Sequence, residues 1–338
     1  MNFKLISRRT AFGAIAGAVA AACLGTAASA DTLRLRFHTY FGTEIDDIAK
    51  EFRNAVKDRT DGSVRIQYFR GGELVPSDQL VDAVAKGTID IAHGVGSYWS
   101  GQVDIGNIET GLPGAWTTIE EAKEVLGTPE AQALLTEAYA EAGAVFLGKS
   151  YGSDYDLLTK EPVSSLDDLK TFKIRATSNV AKVLQQFEIP TVSLPGQELY
   201  VGLSTGVIDG VIYGSAVDYH QLKLNESAKY YTRLNMLTPG WTETYLANPD
   251  TWGKLSDEQR TIVEEEVTNF AAKVEAWLND GNKSFPDDIF EFSTLPADDT
   301  KALTEAAQSV WEEEAGRSER NQKLIDLIAA NAKAKGRL

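Results

Sequence analysis

Arg175 ends a short strand-like run, Phe172-Lys173-Ile174-Arg175-Ala176, and Thr177-Ser178-Asn179 follows at once. Phe172, Ile174 and Ala176 alternate with Lys173 and Arg175. The arginine therefore projects from the face opposite the apolar set, near the strand's C-terminal end. Ligands of open α/β sheets bind beyond that end. A guanidinium gives a carboxylate two parallel hydrogen bonds, a geometry lysine does not offer. Thr177, Ser178 and Asn179 suit the start of a helix, whose free N–H groups and dipole favour an anion. The chemistry on offer is capture of a small carboxylate. A structural or surface ion pair fits the same residues, and the run alone does not separate the two.

Other chemistries find little support. His38, His93 and His220 have no ligand spacing, and Cys23 is the single cysteine, so no zinc site or other metal centre is expected. Gly94-Val95-Gly96 is not followed by glycine at Trp99, which breaks the dinucleotide fingerprint. No serine sits between glycines as in a nucleophile elbow. No cofactor and no catalytic residue are expected. Phe41, Tyr98 and Trp99 fall in loops after early strands, where they would form a cleft wall or pack the core. Glu73, beside a glycine pair, fits a cap for the next helix.

The chain has 338 residues, enough for two α/β domains, and an ordinary apolar share of 43%. Residues 1–30 read as an export signal: Lys4, Arg8 and Arg9, an apolar run from Ala11 to Ala22, then Ala28-Ser29-Ala30 as a small-x-small cleavage site. Ser7-Arg8-Arg9 points to the twin-arginine route, with the general route as the alternative. The net charge is −16; removing the segment takes three basic residues and no acidic one, leaving −19 and no thiol. Such a surface repels nucleic acid and anionic lipid. An anion bound by it needs a locally placed cation.

The elements that must position Arg175 come in two similar sets. Strands are expected at 33–40, 63–70 and 89–93, with helices at 43–59 and 76–86 between them. Ile45, Ile48, Phe52 and Val56 share one face of the first helix. Residues 94–114 read as loop, 118–142 as one helix and 144–149 as a strand. Strand, helix and strand recur at 172–176, 180–187 and 191–194, and a further strand at 207–213. PSDQLVDAVAKGTIDI from Pro76 is echoed by PGQELYVGLSTGVIDG from Pro195, with Leu80, Gly87, Ile89 and Asp90 answering to Leu199, Gly206, Ile208 and Asp209. Two similar units imply two lobes, and two lobes make a cleft. Ser256 with Gln259 forms a capping box that opens a long helix, lined by Val263, Val267, Phe270, Val274, Trp277 and Leu278. Two more helices fit 300–314 and 318–333. The expected division is 1–30 as signal, 31–150 with about 240–280 as the first α/β lobe, and 151–239 with about 281–338 as the second.

DLKTFKIRATSN followed by LPGQELYVGLSTGVIDG resembles the core signature of the TRAP-type (tripartite ATP-independent periplasmic) solute-binding receptors, the DctP-like family. GGELVPSDQLVDAVAKGTIDIA is similar to its first-lobe signature, and ANPDTWGKLSDEQRTIVEEEV to its segment before the long helix. The similarity covers nearly all of the chain after the signal, in order. It implies an α/β, two-lobed periplasmic binding protein fold with a central cleft and a long bracing helix. It also implies a small organic acid captured by hinge closure and delivered to integral-membrane TRAP permease subunits. Arg175 matches the arginine that clamps the solute carboxylate in that family.

There are departures from the family pattern. Asp156 stands where many members carry a second arginine, and would face an amine or hydroxyl of the solute or be a solvated loop acid. Ile212-Tyr213 replaces a Glu-Asn-Pro or Glu-Trp, so a metal held by that glutamate is not expected. Tyr213 keeps an aromatic ring to stack on the solute or donate its hydroxyl. KYYTRLNMLTPGWTETY resembles the 2-oxoacid-binding subgroup around Trp241, giving Trp241 a part in shaping the pocket. The options for the solute are a 2-oxo or hydroxy acid, a zwitterion such as an amino-acid-like osmolyte, and an aromatic or larger acid. A sensory receptor serving a membrane kinase and a secreted enzyme on a bilobal scaffold are the other functions that fit. Monomer and dimer stay open.

Overall fold

The computed structural model describes residues 32–338 apart from 235, 237–239, 284–285, 287 and 337. The expected export signal, residues 1–30 with Cys23, lies outside the described residues. In chain order the strands are β1 (Leu33–Thr39), β2 (Val64–Phe69), β3 (Ile91–Gly94), β4 (Val145–Tyr151), β5 (Leu157–Thr159), β6 (Ile174–Arg175), β7 (Thr191–Val192), β8 (Gly210–Ile212), β9 (Tyr230–Arg233), β10 (Thr242–Ala247) and β11 (Glu291–Thr294). They form two sheets, ordered β2-β1-β3-β10-β4 and β11-β9-β5-β8-β6-β7. The expected parallel core is present in the first sheet, where β1 pairs with β2 and β3 in parallel. β10 enters antiparallel between β3 and β4, so the chain returns to the first sheet after building most of the second.

The helices are α1 (Asp46–Arg59), α2 (Leu80–Ala85), α3 (Gly106–Thr110), α4 (Ile119–Leu126), α5 (Pro129–Glu141), α6 (Ser178–Gln185), α7 (Leu199–Thr205), α8 (Ala216–Gln221), α9 (Pro249–Trp252), α10 (Asp257–Lys283), α11 (Ala297–Ala315) and α12 (Glu319–Ala334). The segment expected as a single helix over 118–142 is two. Gly127-Thr128-Pro129 breaks it: Thr128 accepts from the Ala131 N–H, and Pro129 takes the first helical position, where no N–H is needed. The segment 94–114, expected as loop, contains the five-residue α3, too short for a periodic signal.

The capping box at α10 is formed. Gln259 Oε1 accepts from Ser256 N–H at 3.0 Å, and Ser256 Oγ accepts from Gln259 N–H at 3.2 Å. Over 27 residues α10 extends about 40 Å at ~1.5 Å per residue. It packs on α1 and β4 beside the first sheet and on α8 beside the second, bracing both lobes. Val263, Val267, Phe270, Val274 and Leu278 are buried along its inner face. α11 packs on α6. α12 packs on α4 and α5 beside the first sheet, whereas chain order had placed 281–338 with the second lobe. Arg320 fixes it there, reaching Asp104 at 2.9 Å and Glu141 at 2.8 Å.

The sequence echo is a structural one. Pro76 and Pro195 adopt nearly the same dihedrals, φ −60° with ψ 154° and φ −59° with ψ 153°. Each leads into a 3₁₀ turn that runs on into α2 or α7, starting at a fully buried leucine, Leu80 or Leu199. Gly87 and Gly206 follow with φ of +69° and +79°, the left-handed region glycine occupies without strain. Asp90 then donates its N–H to Arg36 O at 2.9 Å and accepts Arg36 N–H on Oδ2 at 2.8 Å. Asp209 does the same with Lys173, at 2.9 Å in both directions. Each aspartate thus pins the start of its lobe's strand β3 or β8 to the neighbouring strand β1 or β6. Two residues beyond Lys173 stands Arg175; two residues beyond Arg36 stands His38.

Asp90 also holds the Arg36 guanidinium, with Nε at 2.8 Å, and the Thr251 hydroxyl at 2.8 Å. Asp90→Ala strips charge-assisted bonds from a buried acceptor, and the expected loss of stability is roughly 2–3 kcal/mol, because hydrogen bonds to charged groups contribute ~1.5–3 kcal/mol each at best. A urea melt checks this, and an unchanged midpoint would show that the aspartate pin carries no weight in the first lobe.

Candidate functional site

Arg175 is 1% exposed. It lies on β6 between β8 and β7, and Tyr98 of the first lobe stands over its guanidinium. Nε donates to Leu194 O at 2.9 Å and Nη1 to Ile212 O at 2.9 Å, which fixes the plane of the guanidinium. The Tyr213 ring centroid is 5.0 Å from Cζ. The hydroxyls of Tyr98 and Tyr155 also lie close to the guanidinium. Among the described residues no carboxylate forms an ion pair with Arg175. Burial pushes the Tyr98, Tyr155 and Tyr213 phenols above their ordinary pKa, so all three remain protonated donors near neutral pH.

Beside the guanidinium lies a pocket of about 480 Å³. The first lobe contributes Ser77, Asp78, Ser97 and Tyr98; the second contributes Arg175 with Thr177, Ser178 and the Leu194-Pro195 turn. Thr177 is the N-cap residue of α6, yet its side chain caps nothing, and the helix start opens on this pocket. Free N–H groups and the positive end of the helix therefore reinforce the guanidinium. The lobes meet on either side of it. Ser178 Oγ donates to Asn107 Oδ1 at 2.8 Å, Asn179 Nδ2 to Asn107 O at 3.0 Å, and Gln197 Nε2 to Tyr40 O at 2.6 Å. Asn179, expected beside the solute, is buried and joins the lobes.

The remaining sequence candidates fall in different places. Phe41 is buried against Tyr40 and Trp277 and lines a second, neighbouring pocket together with Tyr213. Trp99 points the other way: its Nε1 donates to Tyr139 OH at 2.9 Å inside the first lobe, and its neighbour Tyr98 takes the cleft position. Glu73 caps a turn by accepting from Arg70 N–H at 2.9 Å. Trp241 stands behind the site, edge-on to Tyr155 at 5.2 Å, with Nε1 3.3 Å from Glu243 Oε1.

Asp156 neither faces a cleft nor meets solvent. Buried in the second lobe, it accepts from Leu234 N–H at 2.8 Å and Tyr231 OH at 3.0 Å. Burial lifts its carboxyl to about 6, against the pull of those donors.

Sequence reasoning did not find Tyr155 or Glu243. Tyr155 sits in the crossing from β4 to β5, and lobe crossings border the cleft. Glu243 is fully buried on β10, held by His93 Nε2 at 2.9 Å and by the Ser150, Tyr40 and Trp241 side chains. Burial alone would raise its carboxyl; His93, Ser150 and Tyr40 hold it below the usual range. No strand was expected over 242–247, and all six of its residues are buried, so no alternation marks it. Among the described residues no three His, Cys, Asp or Glu side chains gather as a metal site. No described helix is long and apolar enough to cross a membrane.

A family model described as bacterial extracellular solute-binding protein, family 7 (DctP), matches residues 42–318. The chain belongs to this family. Among its relatives, the monocarboxylate 2-oxoacid-binding periplasmic protein of Nostoc sp. is 29% identical over 225 residues, 66% of this chain and 60% of that protein's length. The ectoine-binding periplasmic protein TeaA of Halomonas elongata is 26% identical over 72% of this chain and 70% of its own. A TRAP periplasmic solute binding protein from Chromohalobacter salexigens, solved with (S)-(+)-2-amino-1-propanol, superposes with a TM-score of 0.84 at 21% identity, covering 90% of this chain and 97% of that one. These structural neighbours share the two-lobed solute-binding fold. Family and fold are those of binding proteins.

The raised Asp156 carboxyl gives a pH test with a definite sign. A folded pKa of about 6 lies above the ordinary ~3.9, so the native state holds this proton to higher pH than the unfolded chain. The associated stability is complete below about pH 4 and is lost as pH rises through about 6. Asp156→Asn keeps the acceptor for Leu234 and cannot titrate. Melting temperatures measured at pH 7 and pH 5 are expected to show wild type gaining on the variant at the lower pH. An equal difference at both would place the carboxyl's titration elsewhere.

Proposed function

We propose that this family 7 protein is an exported periplasmic receptor of a TRAP transporter, which captures a small organic acid by hinge closure and delivers it to the membrane permease subunits. One observation carries the reading: Arg175 is a buried cation between two lobes, with no described carboxylate to neutralise it and a pocket at its side. A solute carboxylate supplies the missing charge. The guanidinium and the N-terminus of α6 bind it, and the hydroxyls of Tyr98, Tyr155 and Tyr213 take what bonding capacity remains. Trp241 acts through Tyr155 as a positioning residue. The bonds from Ser178, Asn179 and Gln197 across the lobes form only when the lobes meet, so they are latches of the closed state.

Relatives support the class of solute. The Nostoc protein is named for 2-oxoacids, and solute-binding proteins from Rhodoferax ferrireducens and Sulfitobacter hold malonate and β-D-galacturonate. Export by the segment 1–30, through the twin-arginine or the general route, fits this role. Protonated phenols beside a fixed cation suit binding of an anion.

A thermal-shift screen of organic acids tests the proposal. A ligand at 100 times its Kd adds about 2.7 kcal/mol of stability. Arg175→Ala is expected to abolish the shift. Arg175→Lys is expected to lose most of it, because an ammonium reproduces neither the fork nor its two backbone bonds. Normal binding of the best acid by Arg175→Ala would sink the clamp.

A further inference from the structure

Next to the arginine pocket lies a second one of about 270 Å³, with opposite chemistry. Its walls include the rings of Tyr40, Phe41, Tyr213 and Trp277 and the carboxylates of Glu44 and Asp218. Tyr40 and Phe41 lie 4.3 Å apart between centroids, and Trp277 stands at 89° to Phe41 at 5.7 Å. The faces of such rings attract a cation, most strongly where water is excluded. Glu44 Oε2 is buried and accepts no hydrogen bond from any described residue. Asp218 is 4% exposed; its Oδ2 accepts from Ser215 N–H and Oγ, both at 2.7 Å, and these are neutral donors that leave its charge uncompensated. No described lysine or arginine pairs with either carboxylate. Tyr213 stands between Arg175 and the acidic pocket: its ring lies 5.0 Å from the guanidinium and lines that pocket.

Two neighbouring pockets, one with an uncompensated cation and the other with uncompensated carboxylates and aromatic walls, match a ligand that carries both charges. We infer that the solute is a zwitterion, whose carboxylate meets Arg175 and whose cationic nitrogen enters the box of Tyr40, Phe41, Tyr213 and Trp277 against Glu44 and Asp218. This rests on the reading of Arg175 as the carboxylate site. It assigns the cationic end to a position distinct from Asp156, the acid that the sequence had offered for it.

The test is titration calorimetry on the exported chain with matched probes. One set comprises trimethylammonio and primary-ammonio carboxylates with one to five methylenes between nitrogen and carboxylate. The other set replaces each nitrogen by carbon, keeping shape and carboxylate but removing the positive charge. At least one cationic member is expected to bind tenfold or more tightly than its carbon twin. Glu44→Gln, at a partly exposed residue and with its fold checked by circular dichroism, is expected to erase that preference and spare the twin. A series in which no cationic member outbinds its twin, including one in which none binds, overturns the inference, as does an undiminished preference in Glu44→Gln. Arg175→Ala separates the two readings. If it removes binding of carbon twins, the carboxylate site stands whatever becomes of the cationic one; if twins bind it unchanged, the carboxylate reading is the one that fails.

Discussion

Removing a guanidinium from water costs several kcal/mol unless opposite charge and hydrogen bonds replace the lost hydration. A second cation buried at its side chain, Lys149, meets that need internally. Lys149 is 3% exposed at its side chain and rests 2.8 Å from Glu109. Arg175 is buried more deeply and has only two carbonyls, a ring face and phenol oxygens. Dipoles hold the charge in place without cancelling it. On the proposed reading the lobes close over a site that is electrostatically unfinished, and that incompleteness would give a solute anion its differential affinity for the closed form.

The rest of the architecture keeps this charge where it is. Asp209 pins β8 to the start of β6, so the strand that ends in Arg175 cannot slide relative to the strand whose Ile212 carbonyl receives Nη1. The Leu194-Pro195 turn supplies the second carbonyl and opens α7. Asp90 builds the same device in the first lobe with Arg36, and there the equivalent strand end carries His38. His38 is lowered in pKa chiefly by burial, and its Nε2 accepts from Leu74 N–H at 3.3 Å, so it is neutral where Arg175 is charged. Two copies of one frame thus meet at the cleft with one fixed cation between them.

What could be read beforehand follows from how far each signal travels along the chain. Arg175, its strand alternation and the helix start after it are local, and all three were legible. The repeat was legible because the aspartate pins and the glycines with positive φ restrict residue type wherever the frame recurs. The break at Gly127-Thr128-Pro129 was also local and was overlooked within a longer apolar pattern. Other features depend on long-range pairing. β10 carries Glu243 back into the first sheet from the far side of the second, and no pattern within 242–247 names its neighbours. Trp99 and Tyr98 are adjacent in a 3₁₀ turn, and which one faces the cleft is decided by the Tyr139 hydroxyl forty residues away. Asp156 was singled out for a family position; its burial under β9 is set by Leu234 and Tyr231, more than seventy residues on.

The surface charge and the site charge are connected. With 49 acidic residues against 33 basic ones, the protein repels anions at long range. An anionic solute must therefore be held by short-range contacts in a dry site, where attraction is no longer screened by water or salt. On the proposed reading burial of Arg175 would meet that requirement, and so would the position of α6, whose free N–H groups act only within the first turn. A solute that also carried a positive charge would approach the acidic surface without net repulsion. The same acidic field that works against a simple carboxylate would leave such a molecule unhindered, and the carboxylates of Glu44 and Asp218 extend that field to the cleft itself.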